Sequence, residues 1–470
     1  MRVIFLFTFG LLHILQHVSF ISATKISGIF EDIPSTNISI PLYSIDNSYM
    51  AYIYIGTSMS SLDQETSNSA QKKLVIVDTG SKNLVLPCKP CKFCGKNHFS
   101  PYPYDMKESS TDITLKCYEG CTFPTSKECT KSFFSEKMNF HKCEFRQKYS
   151  EGSIIKGFEV NDWVWFGLPD ERKSVDFYMQ YGVFHTFGCQ TKETGLIREQ
   201  YADGVFGLGL LRLDNDYKKE RKKEHVHFVK TMYQNRLVNH VAFSICLSKD
   251  AGILSLGGTS LRSNTDTLPD RNTLQNQPRH LEPMAFEPLR KSSYYKIKVK
   301  SFYVGDQKVD LHISIDDDED DDDTDKSAEN PFNDGRGTII DSGTSESYFP
   351  KVVAEPFRDA WEKSMTRGDS AKEYDDDESH IYSFEDFTSL PNITIVLSHG
   401  YEWVIEPRYY LSTDEKDIDF ERGWDGEIEF DFQIHFVESK GCVLGANAMI
   451  GHDILFDLSH QRVGIAKSIC

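Results

Sequence analysis

The sequence predicts a mostly β fold made of two related lobes. Short apolar runs rich in β-branched and aromatic residues recur along the chain, and most of them end at a glycine, as strands and hairpins do. Helical patterns are few. Two segments of the first half each have a counterpart, in the same order, in the second half. At 470 residues the chain is too long for one small core. It suits two lobes of about 150–200 residues each.

Residues 1–23 are typical of a secretory signal peptide. They carry an early Arg2, a long apolar stretch and a small residue, Ala23, near the expected cleavage point. An uncleaved membrane anchor is the alternative, but three polar residues interrupt the apolar run, namely His13, Gln16 and His17. No other stretch approaches about 18 apolar residues, so we expect a soluble mature chain in a secretory lumen.

The strand-like segments follow in order. Residues 38–56 alternate in polarity and end at Gly56, as a β-hairpin does. Residues 74–80 form a short apolar run that ends in a turn, which is typical of a buried strand. Further strands with glycine punctuation are predicted in residues 149–167, 251–258 and 294–305. The strongest helical pattern spans residues 351–365.

A weak internal repeat organises the chain. LVIVDTGSKNLVLP (74–87) and GTIIDSGTSESYFP (337–350) share an apolar run, an aspartate, a small hydroxyl residue, a glycine, another hydroxyl residue and a later proline. Each is followed at a distance by an apolar segment with glycine, ADGVFGLGL (202–210) or CVLGANAMIG (442–451). Two such halves predict pseudo-twofold symmetry with a boundary near residue 252, so that the lobes span residues 24–252 and 253–470.

The charge distribution argues against one class of partner. The formal net charge is -19, and two acidic runs at 315–325 and 373–378 hold most of the excess. An acidic surface argues against nucleic acid as a partner. We expect both runs to lie in solvated loops, with residues 315–330 forming an insertion in the second lobe.

Eleven cysteines leave two chemistries open. Seven of them lie between Cys88 and Cys143, and the spacing of Cys88, Cys91 and Cys94 could hold zinc or an iron–sulfur cluster. A signal peptide places the chain in an oxidising lumen, where clustered cysteines usually form disulfides. We therefore expect disulfides and no metal. The odd count leaves at least one cysteine free or paired between chains, and the spacing does not determine the connectivity.

The repeated aspartates predict a reaction centre. If the pseudo-twofold axis brings Asp78 and Asp341 together, two carboxylates about 3 Å apart cannot both ionise, and they share one proton. One aspartate then acts as a base on a bound water while the other protonates or hydrogen-bonds a carbonyl oxygen. This chemistry requires no metal, cofactor or covalent intermediate.

The neighbours of both aspartates suit this chemistry. Gly80 and Gly343 permit a close approach and expose backbone N–H donors. The hydroxyl residue after each glycine can donate to the outer carboxylate oxygens, at Ser81 and Thr344. The hydroxyl residue before each glycine can bond across the interface and hold the turns rigid, at Thr79 and Ser342. A single Asp-Thr-Gly is usually a plain turn, so the prediction depends on two copies in matching contexts.

Four segments resemble the active-site turns and supporting segments of pepsin-like aspartic proteases: VDTGS, YADGVFGLG, IIDSGTS and VLGANAMIGHDILFDLSHQRVGIA. The resemblance covers roughly residues 38–470. It implies two β-lobes with a peptide-binding cleft between them, covered by a hairpin flap from the first lobe. It also implies an endopeptidase that acts on polypeptides as a monomer, with no cofactor.

Three features are similar to a secretory-pathway subgroup of that family, which cuts after leucine in Arg-x-Leu motifs of exported proteins. They are the cysteine-rich insert, the flap sequence CEFRQKYSEGS (143–153) and GCQTKETGLIREQYADGVFGLG (188–209). The similarity implies residence in the endoplasmic reticulum and substrates with a basic residue near the cut. The family resemblance also implies that the cysteines beside Asp78 form a disulfide-stapled loop bordering the cleft, as in plant nepenthesins.

The same resemblance assigns the flap residues. Tyr149 matches the tyrosine that closes over the substrate, and Gly152 belongs to the flap turn. Glu151 stands where the flap usually has a threonine, and its carboxylate could pair with a substrate arginine. From the residues alone, an exposed hairpin-tip charge of little energetic weight is an equal alternative. Two further candidates for the same pocket are Glu193 and Gln200.

The chain also departs from the family pattern. Val85 stands where relatives usually have a tryptophan that bonds the flap tyrosine, so Tyr149 needs another partner. Ser150 replaces a free cysteine of the subgroup. The subgroup also has a hydrophobic C-terminal anchor, whereas this sequence stops at VGIAKSIC (463–470), so we expect a soluble variant or an incomplete chain. Two rival functions remain open: a protease of broader specificity in an acidic vesicle, and a pepsin-like fold kept only for binding.

Overall fold

The computed structural model describes most of the chain. The described residues are 37–57, 70–89, 91–117, 120–123, 142–166, 182–210, 227–261, 278–290, 292–311, 330–365, 379–415, 418–420 and 422–470. The predicted signal peptide and both acidic runs, 315–325 and 373–378, lie outside them. Within these ranges, no helix is long and apolar enough to cross a membrane.

The described chain is mostly β, as predicted. The first half contains β1 (Ile38–Ile45), β2 (Ser48–Ile55), β3 (Gln71–Asp78), β4 (Leu84–Pro87), β5 (Ile113–Thr114), β6 (Glu144–Lys148), β7 (Ile154–Phe166), β8 (Val183–Glu193), β9 (Gly204–Gly207), β10 (Ala242–Leu247) and β11 (Ala251–Leu256). The second half contains β12 (Arg279–His280), β13 (Ala285–Pro288), β14 (Lys296–Ile297), β15 (Val299–Val304), β16 (Gln307–Lys308), β17 (Thr338–Ile340), β18 (Ser347–Pro350), β19 (His380–Ser383), β20 (Ile393–Leu397), β21 (Glu402–Ile405), β22 (Leu411–Ser412), β23 (Glu427–Phe432), β24 (Ile434–Glu438), β25 (Cys442–Leu444), β26 (His452–Asp457) and β27 (Arg462–Ile469).

Helices are short and lie between the strands. They are α1 (Leu196–Glu199), α2 (Phe228–Gln234), α3 (Ala354–Ser364), α4 (Phe384–Ser389), α5 (Pro407–Tyr410) and α6 (Ala446–Met449), with 3-10 turns at Met106–Glu108, Pro331–Asn333 and Lys351–Val353. The predicted helix at 351–365 is confirmed as a 3-10 turn followed by α3. Phe357, Ala360 and Trp361 are buried on one face of α3, which is the spacing of an amphipathic helix.

The predicted hairpin at 38–56 is confirmed as β1 and β2, which pair antiparallel. The two residues between them, Asp46 and Asn47, have φ of 50° and 56°. Left-handed backbone at both positions is what a tight two-residue hairpin turn requires, and Asp and Asn tolerate it better than most residues do.

The internal repeat is realised as a repeated strand topology. In the first half β3 lies parallel to β9, β9 antiparallel to β4, and β4 parallel to β8. In the second half β17 lies parallel to β25, β25 antiparallel to β18, and β18 parallel to β24. Asp78 ends β3 and Asp341 directly follows β17. The two aspartates therefore occupy equivalent places in two copies of one arrangement.

The two halves share one large sheet. Its central strands run in the order β27, β26, β10, β11, β1, β2 and β3, so strands from the end of the chain continue the sheet of the first half. The predicted lobe boundary at residue 252 falls inside β11 and stays a prediction. The largest apolar cluster contains buried residues from both halves, including Phe243 of β10 and Phe456 of β26, whose rings stack with centroids 4.7 Å apart.

All described cysteines except Cys442 form disulfides, and disulfides were predicted. The bonded pairs are Cys88–Cys189, Cys91–Cys94, Cys121–Cys143 and Cys246–Cys470. Cys117 is also disulfide-bonded. Cys442 is free and buried, which accounts for the odd count. Cys246–Cys470 joins β10 to the residue after β27 and so fastens the two halves covalently.

We expect the double variant Cys246→Ala, Cys470→Ala to lose about 2–5 kcal/mol of unfolding free energy, because this disulfide closes a long loop in the unfolded chain. Urea unfolding measures the change. Cys442→Ala is the matched control, since it removes a buried thiol without opening a cross-link, and it should lose distinctly less. Equal losses for the two variants would contradict the assignment of a structural cross-link.

Candidate active site

The two aspartate turns face each other where the repeats meet. A Cβ atom on Gly80 would overlap the Asp341 carboxyl group, and a Cβ atom on Gly343 would overlap the Asp78 carboxyl group. Glycine is the residue that leaves room for this approach. The structure thus brings Asp78 and Asp341 together, as the repeat predicted.

Buried hydrogen bonds tie the turns to each other. The backbone N–H of Thr79 donates to Ser342 Oγ at 3.1 Å, and the backbone N–H of Ser342 donates to Thr79 Oγ1 at 3.0 Å. Each hydroxyl also donates across the interface, Thr79 Oγ1 to the Ile340 carbonyl at 3.0 Å and Ser342 Oγ to the Val77 carbonyl at 2.8 Å. The predicted cross-bonding of Thr79 and Ser342 is present in both directions.

Donors from each turn hold its own carboxylate. Asp78 Oδ1 accepts from the backbone N–H of Gly80 at 2.7 Å and of Ser81 at 3.1 Å. Asp341 accepts from the backbone N–H of Gly343 at 3.0 Å and from Thr344 Oγ1 at 2.9 Å. We expected the Ser81 hydroxyl to donate to the Asp78 carboxylate, as the Thr344 hydroxyl donates to Asp341. The Ser81 hydroxyl lies near the Asp78 carboxylate and lowers its pKa, but it does not reach regular hydrogen-bond geometry, and the Ser81 backbone N–H supplies the direct donor.

Burial and mutual repulsion control protonation. Desolvation of Asp78, and then the nearby charge of Asp341, raise the pKa of Asp78 from 3.8 to about 7. Two carboxyls this close titrate as a pair. At neutral pH and below, the pair therefore retains a proton, which is the state that acid–base chemistry on a bound water requires.

The flap is a hairpin formed by β6 and β7. Its turn is closed by the backbone N–H of Tyr149, which donates to the Ser153 carbonyl at 2.9 Å, and Gly152 adopts φ of +100°. The Tyr149 ring packs against a small apolar group that we term the flap cluster, formed by Val85, Phe123, Phe145, Ile155, Ile197 and Val205.

Tyr149 lies close to the aspartate pair. Burial raises the pKa of its phenol, and the charge of Asp78 is the next largest cause. Its hydroxyl is buried, and the neighbouring Ser81 side chain partly offsets the rise in its pKa without reaching regular hydrogen-bond geometry. Ser81 is therefore the polar neighbour of the Tyr149 hydroxyl where relatives usually have a tryptophan, and Val85 adds apolar contact in the flap cluster.

Two positioning contacts were missed from the sequence. Asn83 Nδ2 donates to Gln147 Oε1 at 3.1 Å, which links the first aspartate turn to the flap strand β6. Thr194 Oγ1 accepts from the backbone N–H of Ile154 at 2.9 Å and braces the other flap strand, β7. Alternation along β6 could have identified Gln147, because residues 145, 147 and 149 share one face of a strand.

Glu151 is exposed at the flap tip, in the turn between β6 and β7. It lines a cavity of about 630 Å³ together with Thr194, Leu196, Arg198 and Glu199. Among the described residues, no ion pair joins Glu151 to Arg198. The carboxylate is therefore available to a ligand, with one cation and one further anion beside it.

The two weaker candidates have other partners. Glu193 is buried, and its carboxylate accepts from the backbone N–H of Gly95 at 2.8 Å and bonds His98 Nε2 at 3.0 Å. It therefore braces the loop stapled by Cys91–Cys94 against β8. Gln200 donates to the Ala202 carbonyl at 3.3 Å within its own turn.

Comparison with known proteins gives consistent matches. The model of the eukaryotic aspartyl protease family matches residues 48–468. Plasmepsin V of Plasmodium falciparum is 21% identical over 460 residues, covering 87% of this chain and 70% of the relative. Aspartic protease 5 of Toxoplasma gondii is 30% identical over 203 residues, 42% of this chain and 19% of the relative. Nepenthesin-2 of Nepenthes gracilis is 28% identical over 176 residues, 37% of this chain and 32% of the relative.

A double-mutant cycle tests the contact between the turns. We expect Thr79→Val and Ser342→Ala each to lower the free energy of unfolding by about 1–3 kcal/mol, because each leaves buried groups unpaired. The two losses should be coupled by about 0.5–3 kcal/mol. Urea unfolding of the single and double variants measures the coupling. Thr79→Val combined with Ser364→Ala on α3 is the additive control, and additivity in the first cycle would contradict the contact.

The pKa of Asp78 predicts how stability depends on pH. Between 3.8 and about 7, the folded chain holds a proton that the unfolded chain releases, so the free energy of unfolding should fall as pH rises through this window. Asp78→Asn should flatten that fall, while the exposed Asp359→Asn should leave it intact. Urea unfolding at several pH values gives the slopes, and an unchanged slope in Asp78→Asn would refute the raised pKa.

Proposed function

The chain belongs to the eukaryotic aspartyl protease family and is an aspartic-type endopeptidase, and from this premise we propose that Asp78 and Asp341 are its catalytic pair. The proposal depends on one observation. Gly80 lies directly against the Asp341 carboxyl group and Gly343 directly against the Asp78 carboxyl group. The raised pKa of Asp78 and the cross-bonded turns support it.

The proposed reaction is acid–base hydrolysis of a peptide bond. Asp341 accepts a proton from a water molecule held between the carboxyls, and the water oxygen bonds to the scissile carbonyl carbon. Asp78, the more buried of the two, gives its proton to the carbonyl oxygen. The tetrahedral intermediate is a gem-diol, and one of its hydroxyl groups returns a proton to Asp78 as the C=O bond forms again. The C–N bond breaks, and the proton on Asp341 passes to the leaving amine, which restores the starting protonation of the pair. Tyr149 and the flap exclude solvent from this step.

For substrates, we propose polypeptides of the secretory pathway, cut after leucine in an Arg-x-Leu motif by a monomeric enzyme of the endoplasmic reticulum. The resemblance of residues 143–153 and 188–209 to the secretory subgroup supports this. So does the position of Glu151, an unpaired carboxylate at the flap tip beside a cavity. A guanidinium can bond a carboxylate with two parallel hydrogen bonds, so Glu151 would select arginine.

One observation favours a second candidate, a protease of broader specificity. Arg198 lines the same cavity as Glu151, and its positive charge would weaken the attraction of a substrate arginine. The two candidates share the catalytic pair and differ in their preference for arginine.

A matched peptide pair separates the candidates. One peptide contains Arg-x-Leu and the other Ala-x-Leu, and kcat/KM is measured for wild type, Asp78→Ala and Glu151→Gln. We expect wild type to prefer the arginine peptide and Glu151→Gln to lose about 10–100-fold on that peptide alone, the size of a charge-assisted hydrogen bond. Asp78→Ala should cut neither.

Glu199→Gln is the matched control, because it removes a carboxylate from the same cavity, and we expect it to keep the arginine preference. If wild type cuts both peptides equally, the arginine proposal fails while the catalytic pair stands. If Asp78→Ala still cuts either peptide, the assignment of the catalytic pair is wrong.

A further inference from the structure

A separate cavity lies at the opposite end of β3 from the aspartate pair. It has a volume of about 340 Å³ and is lined by the start of β3, by Lys89 and by residues of the 100–108 segment. Lys73, in its lining, precedes Asp78 by five positions on β3. At a rise of about 3.3 Å per residue the two are roughly 17 Å apart. The cavity is therefore distinct from the candidate active site.

Lys73 is an unusual lining residue because its side chain is buried. The residue is 4% exposed, and its Nζ donates to the Tyr102 carbonyl at 2.7 Å. An ammonium group has three N–H donors, and this is the one hydrogen bond that Nζ makes to the described residues. Burying a charged group is unfavourable unless partners replace its hydration. Lys73 also lines the cavity, where a bound ligand could supply partners for the remaining donors.

The surroundings of Lys73 do not fully compensate its charge. Burial lowers the pKa of Lys73, and the charges of Asp203 and Glu108 oppose that effect without cancelling it. Asp203 is already bound by other donors, since it accepts from the backbone N–H groups of Leu74 and Ser100, at 2.7 Å and 2.8 Å. A negative group bound in the cavity would supply the countercharge that the protein side chains do not fully provide to Lys73.

Two further lysines line the same cavity. Lys89 Nζ bonds Asp105 at 3.1 Å, and its side chain is about half exposed, so it can also reach a ligand. Lys72 Nζ lies 4.0 Å from the centre of the Tyr52 ring. The lining also contains two carboxylates, Asp105 and Glu108, and the lysines outnumber them. The lining therefore has one more lysine than carboxylate, in a chain whose net charge is -19.

We propose that this Lys73 cavity binds a small oxyanion such as phosphate. Lys73 supplies donors from a buried side chain, and Lys89 supplies a cation whose side chain is about half exposed. Lysine ammonium groups bind phosphate as point charges and need no fixed fork geometry. Because the anion would not contact the aspartate pair, we expect it to stabilise the fold and leave kcat unchanged.

Thermal unfolding tests the proposal with inorganic phosphate as the probe. The wild-type chain is unfolded in sodium chloride and in sodium phosphate of equal ionic strength and pH, which removes general screening. A ligand that binds only the folded state raises Tm with concentration, and we expect a rise of about 2 °C or more at saturation. Sodium acetate of equal ionic strength shows whether a carboxylate serves as well as a phosphate.

Three variants locate the effect. Lys73→Met should abolish the phosphate-dependent rise and Lys89→Met should reduce it. Lys300→Met, which removes an exposed lysine on β15, should keep the rise. The proposal is overturned if wild type shows no phosphate-specific rise, or if Lys73→Met retains the full rise.

A measurement on the wild-type chain covers the case in which Lys73→Met does not fold. The rate of acetylation of individual lysines is followed by peptide mass spectrometry with and without phosphate. Saturating phosphate should slow the modification of Lys89, whose side chain is about half exposed in the same cavity, by about tenfold, and leave Lys300 unaffected. Equal slowing of both lysines, or none, would overturn the proposal.

Discussion

The centre of the molecule depends on the buried contact between the turns that carry Asp78 and Asp341. Thr79 and Ser342 exchange backbone and hydroxyl hydrogen bonds there, and both are almost wholly buried. Buried donors and acceptors are costly to leave unpaired, so the contact forms as a unit. Once it forms, the carboxyls lie side by side in a desolvated position. The raised pKa of Asp78 follows from that position and needs no further device.

The second pair of repeated segments, residues 202–210 and 442–451, supports the aspartate turns from behind. A Cβ atom on Gly207 would overlap the backbone of Asn83, and a Cβ atom on Gly445 would overlap the Glu346 carbonyl. The glycine segments after β3 and β17 therefore press directly against the aspartate turns from behind. Each turn is held from two sides, by its partner turn and by a parallel strand from its own half. Such support keeps catalytic groups within a narrow geometry.

The sequence was sufficient for features that local chemistry decides. The carboxyl pair, the close-packed glycines and the cross-bonded hydroxyls follow from a short pattern present twice, and the repeated topology follows from the same pattern.

The fold places β26 and β27 in the sheet of the first half, which no local pattern indicates. The pairing of Cys88 with Cys189 joins residues 101 positions apart, and it depends on the parallel alignment of β4 with β8. The donors to Glu193 are similarly remote in sequence, so its bracing role could not be predicted.

The shared sheet also constrains the order in which the protein can fold. In the sheet, β10 lies between β11, which follows it closely, and β26, which begins more than 200 positions later. During synthesis the edge of β10 that faces β26 has no partner until about 200 further residues have been made. Long-range pairing of this kind is slow, and an open strand edge invites pairing with other chains. The first half therefore cannot complete its sheet as an early, independent unit, and the sheet that the two halves share is finished only after β26 and β27 have been made.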